Sequence, residues 1–178
     1  TNLADNCPTV ANPSQTDTNG NGVGDACDVE NAFTSIVPAR LVDTRPAHTT
    51  IDGQFAAAGR IATGGTYHVQ ISGRGGVPVG SPAAVLNITS VSPLAGGYLT
   101  VFPCGPQPTT SSINFAVGRV DANEIVAKLS ASGEVCIFAS QSTHVLVDAV
   151  GYVTPISPYV PLTPGRFADT RTAGNIVT

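Results

Sequence analysis

Residues 17 to 28 carry the densest chemistry in the chain. Numbered from one, this stretch places oxygen-bearing side chains at positions 1, 3, 5, 9 and 12, which are Asp17, Asn19, Asn21, Asp25 and Asp28. Val23, at position 7, offers its backbone carbonyl, and Gly22 sits at position 6. This is the ligand spacing of a calcium loop, in which six to eight hard oxygens converge on one ion and the glycine permits the sharp turn. A plain linker rich in Asn, Gly and Asp uses the same residue types. Five matched side-chain positions together with the glycine favour the cation.

The flanks extend the pattern. Asp5-Asn6-Cys7-Pro8 lies upstream, Asn12 and Gln15 follow, and the loop closes on Gly24-Asp25-Ala26-Cys27-Asp28. Over about residues 5 to 28 the chain resembles a thrombospondin type 3 repeat. The resemblance implies a segment with almost no hydrophobic core, held by Ca2+ and by a Cys7–Cys27 disulfide. It also implies a second, overlapping loop ending near Asn12. Thr1 and Leu3 stand at that loop's early acidic positions, which leaves only Asp5 and Asn12 as donors and makes the site the weaker one. Asn19 and Asn21 replace acids that are usual in the family, so the main loop is less negative. Its expected affinity is that of extracellular modules, on the order of 10⁻⁴–10⁻³ M.

The other candidate constellations read as structure. Pro38-Ala39-Arg40-Leu41-Val42-Asp43-Thr44-Arg45 offers guanidinium groups that can clamp a carboxylate or phosphate. The favoured reading is an ion pair that pins a strand, with Asp43 and Arg45 on one face and Arg40 and Thr44 pointing away from them. Gly73-Arg74-Gly75-Gly76 follows a strand, but Val77-Pro78 prevents a helix from opening after it, so it is a tight turn and not a phosphate loop. His144 and Asp148 lie four residues apart on a strand, roughly 13 Å along it, too far for a catalytic hydrogen bond. His48 and His68 stand isolated. No nucleophile–base set can be named, so an enzyme is not expected. The sequence has no CxxC and no close Cys/His pair, so zinc is not expected. Asn87 heads a formal glycosylation sequon within a strand and is read as structural. Tyr98, after Gly96-Gly97 on a loop edge, is the best residue on which a sugar ring could stack, in a chain that has no Trp.

These groups need a scaffold, and the composition indicates its class. Of 178 residues, 42% are hydrophobic and only 11% charged, with a net charge of −4. The eight basic residues are scattered, which argues against nucleic acid as a partner. No apolar run is long enough to insert in a membrane. There are 19 Gly and 14 Pro, and they punctuate short runs rich in Val, Ile and Thr. That is the signature of an all-β fold, here a jelly-roll-like β-sandwich. Strands are expected at 36–43, 67–72, 83–90, 98–102, 112–117, 125–130, 134–139 and 144–152, with one more possible over 54–62. Tyr67, Val69 and Ile71 share one face, as do Ala84, Leu86 and Ile88. Val145–Val150 is apolar on both faces and belongs in the middle of a sheet. Four cysteines allow three pairings. Cys104–Cys136 is expected beside Cys7–Cys27, joining the loop after Val101-Phe102-Pro103 to the strand around Val135-Cys136-Ile137-Phe138.

The chain also repeats itself. The stretch from Val37 to Arg45 recurs from Thr163 to Arg171, an offset of 126 residues between Pro38 and Pro164. A period of that length means whole domains in tandem. With Gly73–Pro78, Val85–Thr89, Gly97–Pro103, Ile113–Phe115 and Val147–Tyr152, the repeated motif resembles a β-module found, often in tandem, in large secreted and cell-wall proteins of actinobacteria. The similarity covers roughly residues 34 to 153; it implies a secreted architecture and does not by itself imply a catalytic activity. The expected domains are a calcium segment over 1–28, a linker over 29–35, a sandwich over 36–158 and the start of a further module over 159–178. The expected function is that of a non-enzymatic, calcium-binding structural or adhesive segment of a secreted or cell-surface protein. Its partners would be neighbouring copies of the module, met through the terminal strand. A carbohydrate-binding module is the alternative.

Overall fold

Ala84, Leu86 and Ile88 are fully buried, as their alternation requires. The computed structural model describes residues 5–18, 20–28, 33–154 and 159–170. Within it the chain is all-β, with eight strands and no helix among the described residues. They are β1 (Phe33–Asp43), β2 (Thr66–Gln70), β3 (Ala83–Val91), β4 (Gly97–Pro103), β5 (Ile113–Phe115), β6 (Val120–Lys128), β7 (Glu134–Ala139) and β8 (His144–Val153). One antiparallel sheet has the order β1-β8-β3-β6, the other β2-β7-β4-β5. The hairpin β4–β5 lies at one end, and β3–β6, β2–β7 and β1–β8 follow as successive pairs of the same folded-back chain. Rolling that long hairpin so that alternate pairs fall in opposite sheets produces a jelly roll.

The core lies between the sheets. Leu86, Ile88, Val145 and Val147 from the first sheet meet Val69, Leu99, Val101, Val135 and Ile137 from the second. β8 sits between β1 and β3, the central position that its two apolar faces predict.

The expected boundaries shift at several places. β1 begins at Phe33, which pairs with Val153, so residues 33 to 35 of the expected linker belong to the sandwich; residues 29–32 lie outside the described residues. β6 begins at Val120, five residues before the expected start. Asp121, Asn123 and Glu124 read as loop, yet they pair with β3. β6 is an edge strand, so pairing on one side outweighs their low strand propensity. Residues 54 to 62 form no strand. Only the isolated bridges Asp43–Ala56 and Ile61–Thr143 occur there. Phe55 and Ala57 have left-handed φ of 55° and 50°, which breaks the pleat.

Candidate functional site

The N-terminal segment is tied by the expected Cys7–Cys27 disulfide. Gly22 adopts the left-handed φ of 87° that the turn at position 6 requires, and that a side chain would strain. The Asp17 carboxylate accepts from the amides of Gly20 at 2.8 Å and Gly22 at 2.9 Å, which folds the loop back over its first residue. Asp25 accepts from the backbone and hydroxyl of Thr18 at 2.8 and 2.6 Å. Asn21 accepts from the Val23 amide and donates its side-chain nitrogen to Asp28 at 3.0 Å. Asp28 is buried. Asn19 lies outside the described residues. The donor chemistry and the turn fit a hard cation. The carboxylates of Asp17, Asp25 and Asp28 do not form a group of oxygens within 4.8 Å of one another.

Asp5 and Asn12 meet through Gln15. Its side-chain amide donates to Asp5 Oδ1 at 3.1 Å, to Asn12 Oδ1 at 2.7 Å and to the Asn12 carbonyl at 2.9 Å. Three oxygens therefore converge on one nitrogen, and the Asn12 amide donates in turn to Asn6 Oδ1. Gly24 packs against this cluster so closely that a Cβ there would stand 2.3 Å from Asn6 Oδ1 and 2.7 Å from Cys7 Sγ.

The Asp-Thr-Arg motif is an ion-pair knot. Asp43 is almost fully buried. Its carboxylate accepts from Arg45 Nη2 at 2.7 Å, Arg45 Nε at 3.0 Å, the Arg45 amide at 3.1 Å and Arg40 Nη1 at 2.9 Å. Arg40 also forks onto Asp148 of β8 at 2.6 and 2.9 Å. The expectation that Arg40 points away from Asp43 fails because the β1–β8 register shifts between Arg40 and Val42. An extra residue reverses the alternation and brings position i onto the side of position i+3. Thr44 does turn away from the knot. Its hydroxyl accepts from the Val145 amide and lies 3.1 Å from His144 Nδ1. Burial, with the Arg60 charge nearby, holds the His144 imidazole below its ordinary range. His48 is not isolated: its Nδ1 lies 3.8 Å from the Asp43 carboxylate.

Arg74 is the structural centre that sequence reasoning missed. The turn is as expected, and Gly75 (φ 55°) leaves no room for a Cβ, which would stand 2.8 Å from the Ala39 and Leu41 side chains. Arg74 itself is buried, forks onto Asp52 at 2.6 and 2.8 Å, and donates to the Leu41 and Gln70 carbonyls at 2.8 Å each. The ring of Phe55 lies 5.7 Å from its guanidinium carbon. One cation thus ties the 50–55 loop to β1 and β2. The available signal was the scarcity of charge: an Arg set among glycines in a chain with so few cations has a partner somewhere.

Tyr98 lies within β4, not on a loop edge. It is 38% exposed and tilted against Phe138 with ring centroids 6.1 Å apart. Tyr98, Thr110, Asn114 and Arg166 line a depression of about 310 Å³. Cys104 and Cys136 are bonded, as expected, and join the end of β4 to β7. His68 pairs directly across from Cys136 in the β2–β7 register, with Nδ1 3.5 Å from Sγ. The expectation of no close Cys/His pair therefore holds in the sequence and fails in space. Neither a scan against protein-family models nor a search of the curated proteins finds a match to this chain.

Proposed function

We propose that this chain is a calcium-stiffened connector leading into structural β-sandwiches of a secreted or cell-surface repeat protein, with no catalytic role. The observation that carries the reading is the N-terminal segment. A disulfide closes a stretch that has almost no apolar core, Gly22 makes the turn at position 6, and the oxygen donors follow calcium-loop spacing along the sequence. Two disulfides and no free cysteine suit an oxidising compartment.

The tail supports the tandem part of the reading. Arg166 and Asp169 form an ion pair at 2.7 Å, matching Arg40 and Asp43 at 2.9 Å. Phe167 is 77% exposed and occupies the repeat position of Leu41, which is fully buried. Likewise Leu162 is exposed where Ile36 packs on the core. Residues 159–170 therefore carry the side chains of a β1 strand outside any sheet, while Pro161, Pro164 and Arg166 line depressions on the flank of the preceding sandwich. Arg171, the last residue of the repeated motif, lies outside the described residues. The partner this implies is another module of the same kind.

The test is limited proteolysis and thermal unfolding with and without a calcium chelator. Chelation is expected to open cleavage within residues 5–28 and leave the sandwich intact. Asp17→Ala with Asp25→Ala should reproduce that pattern in the presence of calcium. A cleavage pattern indifferent to calcium would sink the reading.

The half-exposed Tyr98, flanked by Asn114 and Arg166, favours a second reading, a weak polysaccharide site. It predicts retention on an immobilised polysaccharide panel that Tyr98→Ala abolishes. Retention equal to that of the parent chain, or none for either, excludes it.

A further inference from the structure

His68, Cys104 and Cys136 place one imidazole nitrogen and two sulfurs within 4.8 Å of one another, and they are the sole group of three such donors that close among the described residues. The fold makes this cluster. Antiparallel register sets His68 of β2 opposite Cys136 of β7. The β4–β7 register sets Phe102 opposite Cys136 on the other side, which carries Cys104 to its sulfur. The donors are borderline to soft, unlike the oxygen set of the N-terminal loop, so they select a different class of cation.

The spacing can be tested against coordination geometry. Tetrahedral zinc, with Zn–S of about 2.3 Å and Zn–N of about 2.0–2.1 Å, sets a sulfur and a nitrogen ligand roughly 3.6 Å apart. Cys136 Sγ and His68 Nδ1 are 3.5 Å apart. Two sulfur ligands belong roughly 3.8 Å apart, so the two Sγ atoms must separate, and they do so when the disulfide is reduced. Cys104 follows the end of β4 and is partly exposed, so its side chain has room to swing. His68 is exposed, which gives an ion a path from solvent and leaves the fourth position for water.

We propose that, once a dithiol has reduced Cys104–Cys136, His68 Nδ1 and the two Sγ atoms hold one thiophilic divalent cation of the zinc class. The dithiol gives up two electrons and two protons and closes to its own disulfide. The S–S bond breaks and each sulfur becomes a thiol. Metal binding then releases the two thiol protons to water. The same pair of cysteines staples the sheet in an oxidising compartment and binds metal in a reducing one. This inference does not rest on the calcium reading, because the two sites share no residue.

The experiment uses the full chain, reduced with a dithiol and desalted without oxygen, then titrated with Co2+ as a spectroscopic substitute and competed with Zn2+. A sulfur-to-cobalt charge-transfer band is expected in the reduced chain and not in the oxidised one. Zn2+ should remove the band and raise the unfolding temperature of the reduced chain. His68→Ala removes one of three direct ligands and should weaken binding by more than the roughly tenfold that loss of a mere outer-shell partner costs. The double variant Cys7→Ser, Cys27→Ser should retain the band, since the N-terminal thiols are not the ligands. Three outcomes overturn the proposal: no charge-transfer band, a band that His68→Ala leaves at full affinity, or a sandwich that unravels on reduction and is not restored by Zn2+.

Discussion

Arg74→Ala is expected to destabilise the sandwich by about 3–5 kcal/mol, a large fraction of a domain stability of roughly 5–15 kcal/mol. The cost comes from what the guanidinium leaves behind. Asp52 loses both hydrogen bonds from its charged partner, and the carbonyls of Leu41 and Gln70 lose the guanidinium as a donor. Asp52 is partly open to water, which places the effect towards the lower end of that range. Arg74→Lys keeps the charge but cannot fork onto a carboxylate while reaching two carbonyls, so it should recover only part of the loss. Urea unfolding reads this as a lower midpoint at constant slope. A loss of unfolding free energy below about 1 kcal/mol would show that Arg74 behaves as an ordinary surface cation.

The second large effect is at Asp43. Asp43→Ala removes the acceptor shared by Arg40 and Arg45 and leaves the Arg45 amide without its partner. The expected loss is about 3 kcal/mol. The two guanidinium groups are partly exposed and can rehydrate, so the upper end of the buried-pair range is not reached. Acid gives an independent readout. Burial raises the Asp43 pKa, but hydrogen bonds from Arg45 and Arg40 outweigh it and hold the group at about 2, below the ordinary 3.8. Hydrogen bonds from Arg74 hold Asp52 at about 2 as well, against opposing burial. A carboxyl whose folded pKa is depressed contributes stability that is complete above its unfolded value and is lost as pH falls towards the folded one. The parent chain should therefore lose stability between about pH 4 and pH 2. Asp43→Ala should lose less over the same interval, because one of the two linked groups is gone. Parallel acid-unfolding curves for parent and variant would contradict this account.

Much of the scaffold is legible in the sequence because it is written locally. A strand has a period of two, so the core faces of β2 and β3 and the central place of β8 in its sheet follow from residue order alone. β7 was expected at 134–139 and occupies Glu134–Ala139. Glycines mark the chain reversals, and Gly22 and Gly75 sit where a side chain would strain the turn or strike a neighbour. The spacing from Asp17 to Asp28 is legible for the same reason: its residues are close in sequence, and Asp17 folds the stretch through the nearby amides of Gly20 and Gly22.

Where the reading failed, the deciding contact was distant in sequence. Arg40 faces Asp43 because a bulge against β8, more than a hundred residues away, reverses the alternation of β1. Polar Asp121–Glu124 becomes strand because β3 offers it an edge. Arg74 reaches Asp52 across a chain reversal.

By itself, then, the sequence determined an all-β chain, its core faces and an oxygen-rich loop, since each depends on near neighbours or on a short repeat. The tertiary structure alone decided which charges are buried together and that His68 stands beside Cys136. Both depend on strand register, and register is settled by the joint packing of whole sheets, a property that no local stretch of residues contains.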